Sequence, residues 1–499
     1  MEIDELAKKI DAAIENKNRT ELENYLKILK DRQIQTLICE ELVSIYYFEA
    51  NVHAAIRELK SVDPNYLHSL KQPEYRNEIL ALRKAISQPD FENIDQNRYC
   101  QIKTNLGNCL YAVGRIIEAI EQWNEVLRRV PRFAMALVNR GSALIFYADH
   151  LYEKNCKQFF YWFACKDIEN ALSKKAIWDR EFSPEEFLPY RQMLEKIKHF
   201  GENNYINEGD SLGNSKVEIE YRSWCLKERL FLNFSNDLID WLVAATDCLQ
   251  LPDHTYKLFD NLDPFYVRFY NLLKQEFVGA RMLYFESLNM KKHFADKKVL
   301  LFDLSDSFLY GLKYEKLKLS FRAIYSIFDK IALFLNEYFN LRKEVNRITF
   351  RKVWYEGQNK KLISKFSNTK NWFLKGLWWI SQDILEADLQ FEEVASPDAK
   401  TLANIRNFSE HRFLSISGDI NRHEKKGEFL QGEFLLSIEE TDFYNKTLRL
   451  MKLARTALIH LPLIIYEEEK NKNDYSKPTF SIQAPPNQQK KISRRILSR

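Results

Sequence analysis

Residues 315–342 read EKLKLSFRAIYSIFDKIALFLNEYFNLR. Within them Leu317, Phe321, Ile324, Ile327, Phe328, Ile331, Phe334 and Leu335 recur at spacings of three and four. Residues so spaced share one side of an α-helix. The stretch therefore predicts a helix whose apolar stripe is broad enough for several neighbours at once, the centre of a helical bundle. The rest of the chain agrees. Among its 499 residues are only 13 Gly and 13 Pro, and the first Gly is Gly107. With so few turn-formers and abundant Leu, Lys, Glu and Ile, the expected class is mainly α. The 34 Phe, 25 Tyr and 9 Trp predict an aromatic-rich core.

Towards the N-terminus the helices come in pairs. The clearest pair is TNLGNCLYAVGRIIEAIEQWNEVLRRVP, residues 104–131. Gly107 lets two helices approach closely, Ala119 and Trp123 share a buried face four residues apart, and Pro131 ends the second helix. Gly141, in LVNRGSALIFYA, falls 34 residues after Gly107. This stretch resembles the tetratricopeptide repeat, whose period is the same. Lys103 stands where that repeat carries a large aromatic residue. Residues 1–205 are thus expected to form an α-solenoid of tetratricopeptide-like helix pairs. The Gly, Asn and Ser cluster within 199–221 marks a boundary. Beyond it we expect a mixed segment at 216–300, a helical bundle at 301–466, and a disordered basic tail at 467–499. The last long helix, from about 439, is expected to stop at Pro462.

The formal charge of +4 is close to neutral for this length, so an electrostatic coat for nucleic acid is not implied and any such site must be local. The seven Cys are scattered and include no Cys-x-x-Cys pair, as for reduced thiols in a cytoplasmic protein. The opening MEIDELAKKI reads as a charged helix rather than a secretory signal, and no uncharged apolar run is long enough to cross a membrane. Phosphate-loop, His-Glu-x-x-His and Gly-x-Ser-x-Gly motifs are absent. His293, Asp296, Asp303 and Asp306 read as capping and turn residues rather than a metal site, so no metal and no cofactor is expected. Lys274, Glu276 and Arg281 read either as a solvated helix face with internal ion pairs or as part of a path for RNA.

Chemistry concentrates in RNFSEHR, residues 406–412. Ser396 as N-cap, Pro397 in the first turn and the stripe Leu402, Ile405, Phe408 place it on a helix. The imidazole of His411 suits proton transfer, and Arg406 suits a phosphate. Asn407, four residues before His411, shares its face. RNA carries its own nucleophile in the 2′-hydroxyl. The same Arg-x4-His spacing recurs in RTALIH, with Arg455 and His460, but there Thr456 and then apolar Ala457, Leu458 and Ile459 follow the Arg, and His460 is expected at a helix end.

With its bundle context, RNFSEHR resembles the Arg-x(4–6)-His motif of the HEPN superfamily (higher eukaryotes and prokaryotes nucleotide-binding). The ordered pieces WCLKERLFLN, KQEFVGAR, HFADK, FRAIYSIFDKIALFLNEYF and RNFSEHRFL resemble one bacterial HEPN subfamily linked to tetratricopeptide repeats. The resemblance implies a HEPN bundle that homodimerises, with the motifs of two copies facing each other, and metal-independent endoribonuclease activity. Carried over, Arg406 binds the phosphate, Asn407 assists and His411 is the acid or base, with Arg412, Lys274 and Arg281 as RNA contacts. The pairing with repeats implies a toxin or antiphage effector whose repeats dock a protein partner. The alternatives are a non-catalytic scaffold that binds RNA or protein, and a module accompanying a nucleotidyltransferase.

Overall fold

A computed structural model describes residues 3–31, 39–63, 70–178, 183–201, 211–252, 265–301, 308–357, 361–367, 369–384, 394–418 and 434–472. Among them the fold is mainly α, and it divides into two compact units. The first comprises residues 1–207, 358–383 and 392–397; the second comprises 208–357, 384–391 and 398–499.

The first unit is a succession of helices: α1 (Ile3–Glu15), α2 (Arg19–Asp31), α3 (Cys39–Lys60), α4 (Pro73–Ile86), α5 (Gln96–Ala112), α6 (Ile116–Arg129), α7 (Ala134–His150), α8 (Lys154–Ala171) and α9 (Leu188–Gly201). Short turns join α5 to α6 and α7 to α8 into hairpins. A Cβ on Gly107 of α5 would lie 2.5 Å from the Trp123 indole of α6, and one on Gly141 of α7 would lie 2.9 Å from Ile168 of α8. The two glycines 34 residues apart therefore do the same job, bringing the helices of a pair into backbone-to-side-chain contact. Lys103, buried, reaches Glu125 at 2.5 Å.

The first unit also takes in a piece of chain that the sequence placed in the bundle. Helices α13 (Ser364–Ser367) and α14 (Trp372–Ser381) belong to it. The Trp372 ring packs on Tyr111 and Phe146 at centroid distances of 5.2 and 4.6 Å. Asp383 then accepts from Arg115 at 2.6 Å and from Arg83 at 2.8 Å, all three buried or nearly so. Segment NWFLKGLWWI is apolar on nearly every side, so its periodicity names no single partner face.

The second unit contains α10 (Lys216–Lys227), α11 (Phe265–Asn289), α12 (Leu312–Tyr338), α15 (Ala399–His411) and α16 (Glu440–Lys472). The eight stripe residues of α12 are all buried, as a central helix requires. Helix α11, expected in a joining segment, packs along α12 as a full bundle member: Ser320 donates to the Ala280 carbonyl at 2.8 Å, and Lys330 reaches Glu276 at 2.5 Å. Tyrosines pin α16 to α11, with Tyr270 donating to the Leu458 carbonyl and Tyr284 to that of Tyr444. Two strands, β1 (Phe413–Ser417) and β2 (Leu435–Glu439), pair in parallel with Phe413 opposite Leu435 and Ser417 opposite Glu439. Since β1 follows α15 after one residue and β2 runs straight into α16, this ladder ties the end of α15 to the start of α16.

Helix α12 spans Leu312–Tyr338 rather than 315–342, and two further helix boundaries differ from expectation. Helix α15 begins at Ala399, with Asp398 rather than Ser396 at the N-cap, and the Asp398 carboxylate makes no cap bond. It accepts instead from Lys446, at 3.1 Å, and from Arg449 of α16. Helix α16 runs through Pro462 to Lys472. An interior Pro costs about 3 kcal/mol. Leu461, Leu463, Ile464 and Ile465 around it are all buried, at about 1.5–3 kcal/mol each, which outweighs that cost. The expected tail therefore starts as helix at 467–472, and the rest of it lies outside the described residues.

Candidate active site at the end of helix α15

Helix α15 buries Leu402, Ile405 and Phe408 together with the small Ala399 and Ala403. Arg406 lies on the flank of that stripe, facing α12. Its guanidinium sits 5.3 Å from the centroid of the Tyr325 ring and 3.8 Å from an Asp329 carboxylate oxygen. The Arg406 side chain keeps 34% of its exposure, so the guanidinium still presents itself to solvent. Asp329 is in turn fixed by the Phe350 backbone N–H, which donates to it at 3.0 Å. A loose ion pair over an aromatic face orients a guanidinium without saturating it.

His411 is the last residue of the helix and is exposed. Asn407, one turn earlier, is half-buried. Among the described residues, no hydrogen bond or ion pair engages the side chain of either. Arg412 follows as the C-cap in an extended conformation, exposed, with its guanidinium 5.1 Å from the Phe408 ring. Glu410, the one acid in RNFSEHR, is held by Arg322 of α12 through two bonds of 3.0 and 3.1 Å. The end of α15 thus offers Arg406, Asn407, His411 and Arg412 towards solvent, with its own carboxylate already engaged.

The second copy of the motif is built differently. Arg455 is buried in α16 and donates to the Phe231 carbonyl at 2.7 Å, the Asn233 carbonyl at 3.1 Å and the Asp237 carboxylate at 2.6 Å. His460, expected at a helix end, lies inside the helix, wholly buried, with Nδ1 2.8 Å from the Thr456 carbonyl. Every group that chemistry would need is committed to the core.

The other proposed RNA contacts divide. Arg281 is buried: it donates to Tyr221 Oη at 2.8 Å, the Leu230 carbonyl at 2.7 Å and both Asp247 oxygens at 3.0 and 2.7 Å. Burial disfavours its charge, but Asp247 more than offsets this and holds the guanidinium above its usual pKa. This corrects the expectation of an RNA contact at Arg281, which is a structural cation. The signal was in the sequence: Leu273, Phe277 and Arg281 follow one another at four-residue steps, so Arg281 lies on the apolar side. Lys274 is half-buried and donates to the Leu249 carbonyl, and Glu276 pairs with Lys330 of α12. Of the discounted metal candidates, His293 accepts from the Ala295 N–H and Asp296 from that of Leu312, while Asp303 and Asp306 lie outside the described residues.

Sequence reasoning missed Arg322, Tyr325 and Asp329. They sit at i, i+3 and i+7 on α12 and form the polar edge that faces α15. That spacing was readable, but it borders the apolar stripe and looks like any solvated margin.

The family model of LA2681-like HEPN matches residues 258–468. This span takes in α11 to α15, β1, β2 and most of α16, and with them both Arg-x4-His copies. A HEPN-type region is thereby shown for this part of the chain. No curated protein and no solved structure matches the chain. Among the described residues no helix is long and apolar enough to cross a membrane.

Proposed function

We propose that the chain is a HEPN-type endoribonuclease with RNFSEHR as its active site. The observation that carries this reading is the contrast between the two motif copies. In one, Arg455 and His460 are buried and bonded; in the other, His411 is exposed and the Arg406 side chain keeps a third of its exposure. In the proposed reaction His411 takes the proton of a 2′-hydroxyl, whose oxygen attacks the adjacent phosphorus. Arg406 balances the charge that builds on the phosphoryl oxygens. The P–O5′ bond breaks, the departing oxygen takes up a proton, and the products carry a 2′,3′-cyclic phosphate and a 5′-hydroxyl. Asn407 orients the imidazole or the phosphate. Two copies of the chain, meeting through the bundle, supply two such sets to one site. The helical repeats dock a protein partner, and the biological role is that of a toxin or antiphage effector.

The test incubates the purified chain with mixed RNA in EDTA, beside His411→Ala. Cleavage that persists in EDTA, yields cyclic-phosphate ends and disappears in the variant is the expected result. RNA left whole by the parent chain under all activating conditions, or cut equally by the variant, removes the reading in favour of a binding scaffold.

A further inference from the structure

An exposed aromatic ring directly follows the candidate site in the chain. Phe413 follows His411 and Arg412 directly and opens β1; it is 72% exposed, as is Phe434. The Phe413 backbone is held in place, because its N–H donates to the Phe434 carbonyl at 3.0 Å and the ladder continues into buried Leu414, Ile416 and Leu436. Among the described residues neither ring stacks on another ring or under a cation. An exposed aromatic on a rigid strand end forgoes the burial that such a side chain ordinarily gains.

The charge around Phe413 indicates what covers it. Arg412, next in the chain, pairs with no carboxylate among the described residues, and Glu410 is taken up by Arg322. An aromatic face flanked by uncompensated cationic and imidazole groups is complementary to an anionic chain that carries flat bases.

We propose that Phe413 is the base-stacking platform of this site, and that its occupant is an unpaired nucleobase of single-stranded RNA flanking the phosphate at Arg406 and His411. The inference rests on the ribonuclease reading above and adds the substrate class to it. Stacking accepts any base but needs one that is out of a duplex. The platform therefore selects unpaired RNA over paired RNA, with little preference for sequence.

The test uses the full chain carrying His411→Ala, so that RNA survives the measurement, and a short single-stranded RNA containing 2-aminopurine, beside a duplex of the same composition. Quenching of 2-aminopurine on binding is the expected signature. Adding Phe413→Ala should weaken single-strand affinity about tenfold and abolish the quenching, leave duplex binding unchanged, and keep the helical circular dichroism. Phe413→Trp should restore both affinity and quenching. Single-strand affinity and quenching unchanged in Phe413→Ala overturn this proposal, while cleavage by the parent chain leaves the ribonuclease reading standing. Phe413→Ala that converts a dimer to monomers by sedimentation also overturns it, since the face is then a contact between copies of the chain. RNA neither bound nor cut by the parent overturns both.

Discussion

Arg455→Ala and Arg406→Ala make the same chemical change in two identically spaced motifs, and the structure gives them opposite consequences. Arg455 and its partner Asp237 are 3% and 0% exposed in their side chains. Deleting the guanidinium strands a carboxylate in the core and removes the donors to two backbone carbonyls. Breaking a buried pair on one side costs about 3–5 kcal/mol. For a unit of roughly 250 residues, each kcal/mol lowers the melting temperature by about 2–4 °C, so Arg455→Ala should melt about 6–20 °C below the parent. Arg406 is 3.8 Å from its carboxylate and a third exposed, and such pairs contribute about 0–1 kcal/mol. Its Ala variant should melt within about 4 °C of the parent and lose RNA cleavage. Scanning calorimetry with a cleavage assay run well below the lower transition separates the two effects. Arg455→Met with Asp237→Leu should recover much of the lost stability, because an apolar pair of similar size leaves no charge stranded. Equal melting losses in the two Ala variants would refute the reasoning. So would an Arg455→Ala chain that is fully stable and inactive, since the second motif would then take part in the chemistry.

Gly107→Ala should destabilise the first unit by about 1–3 kcal/mol, because its Cβ would fall 2.5–2.9 Å from three atoms of the Trp123 ring; thermal unfolding reads this directly. Asp383→Ala should cost about 1.5–3 kcal/mol, because it takes charged hydrogen bonds from Arg115 and Arg83 while Glu118 stays on Arg115 at 2.5 and 2.6 Å, and limited proteolysis should then cut residues 369–383 faster than in the parent. Burial, reinforced by Lys30, depresses His53 from its ordinary 6.5 to about 4. The unfolded chain then binds that proton first, so its contribution to stability is complete above pH 6.5 and falls by up to about 3 kcal/mol as the pH drops towards 4. Glu49, pushed up by burial, titrates in the opposite sense; the measurement is therefore the difference in pH slope between the parent and His53→Gln, which should be flatter.

Helix identity was legible wherever one face of a helix is apolar. The stripe of α12, the Gly107–Trp123 contact and the Leu402, Ile405, Phe408 face of α15 all follow from spacing, because a 3.6-residue period fixes which side chains share a side whatever lies opposite. The position of RNFSEHR at a helix end was only conditionally legible: β1 begins two residues after His411, and that strand exists because β2, 22 residues on in register, pairs with it.

By itself, then, the sequence determined the helices, their buried sides and the two Arg-x4-His spacings. The tertiary structure alone decided that Arg455 meets Asp237, 218 residues away in the chain, while Arg406 meets only the partly exposed edge of α12. It likewise decided that Arg281 is a core cation and that Asp383 is held by Arg83 and Arg115. Periodicity sets the direction of a side chain relative to its own helix. Whether a charge pointing that way finds a carboxylate, a ring or water is set by segments hundreds of residues away, and the cost of burying an unpaired charge makes that the choice between a structural residue and a reactive one.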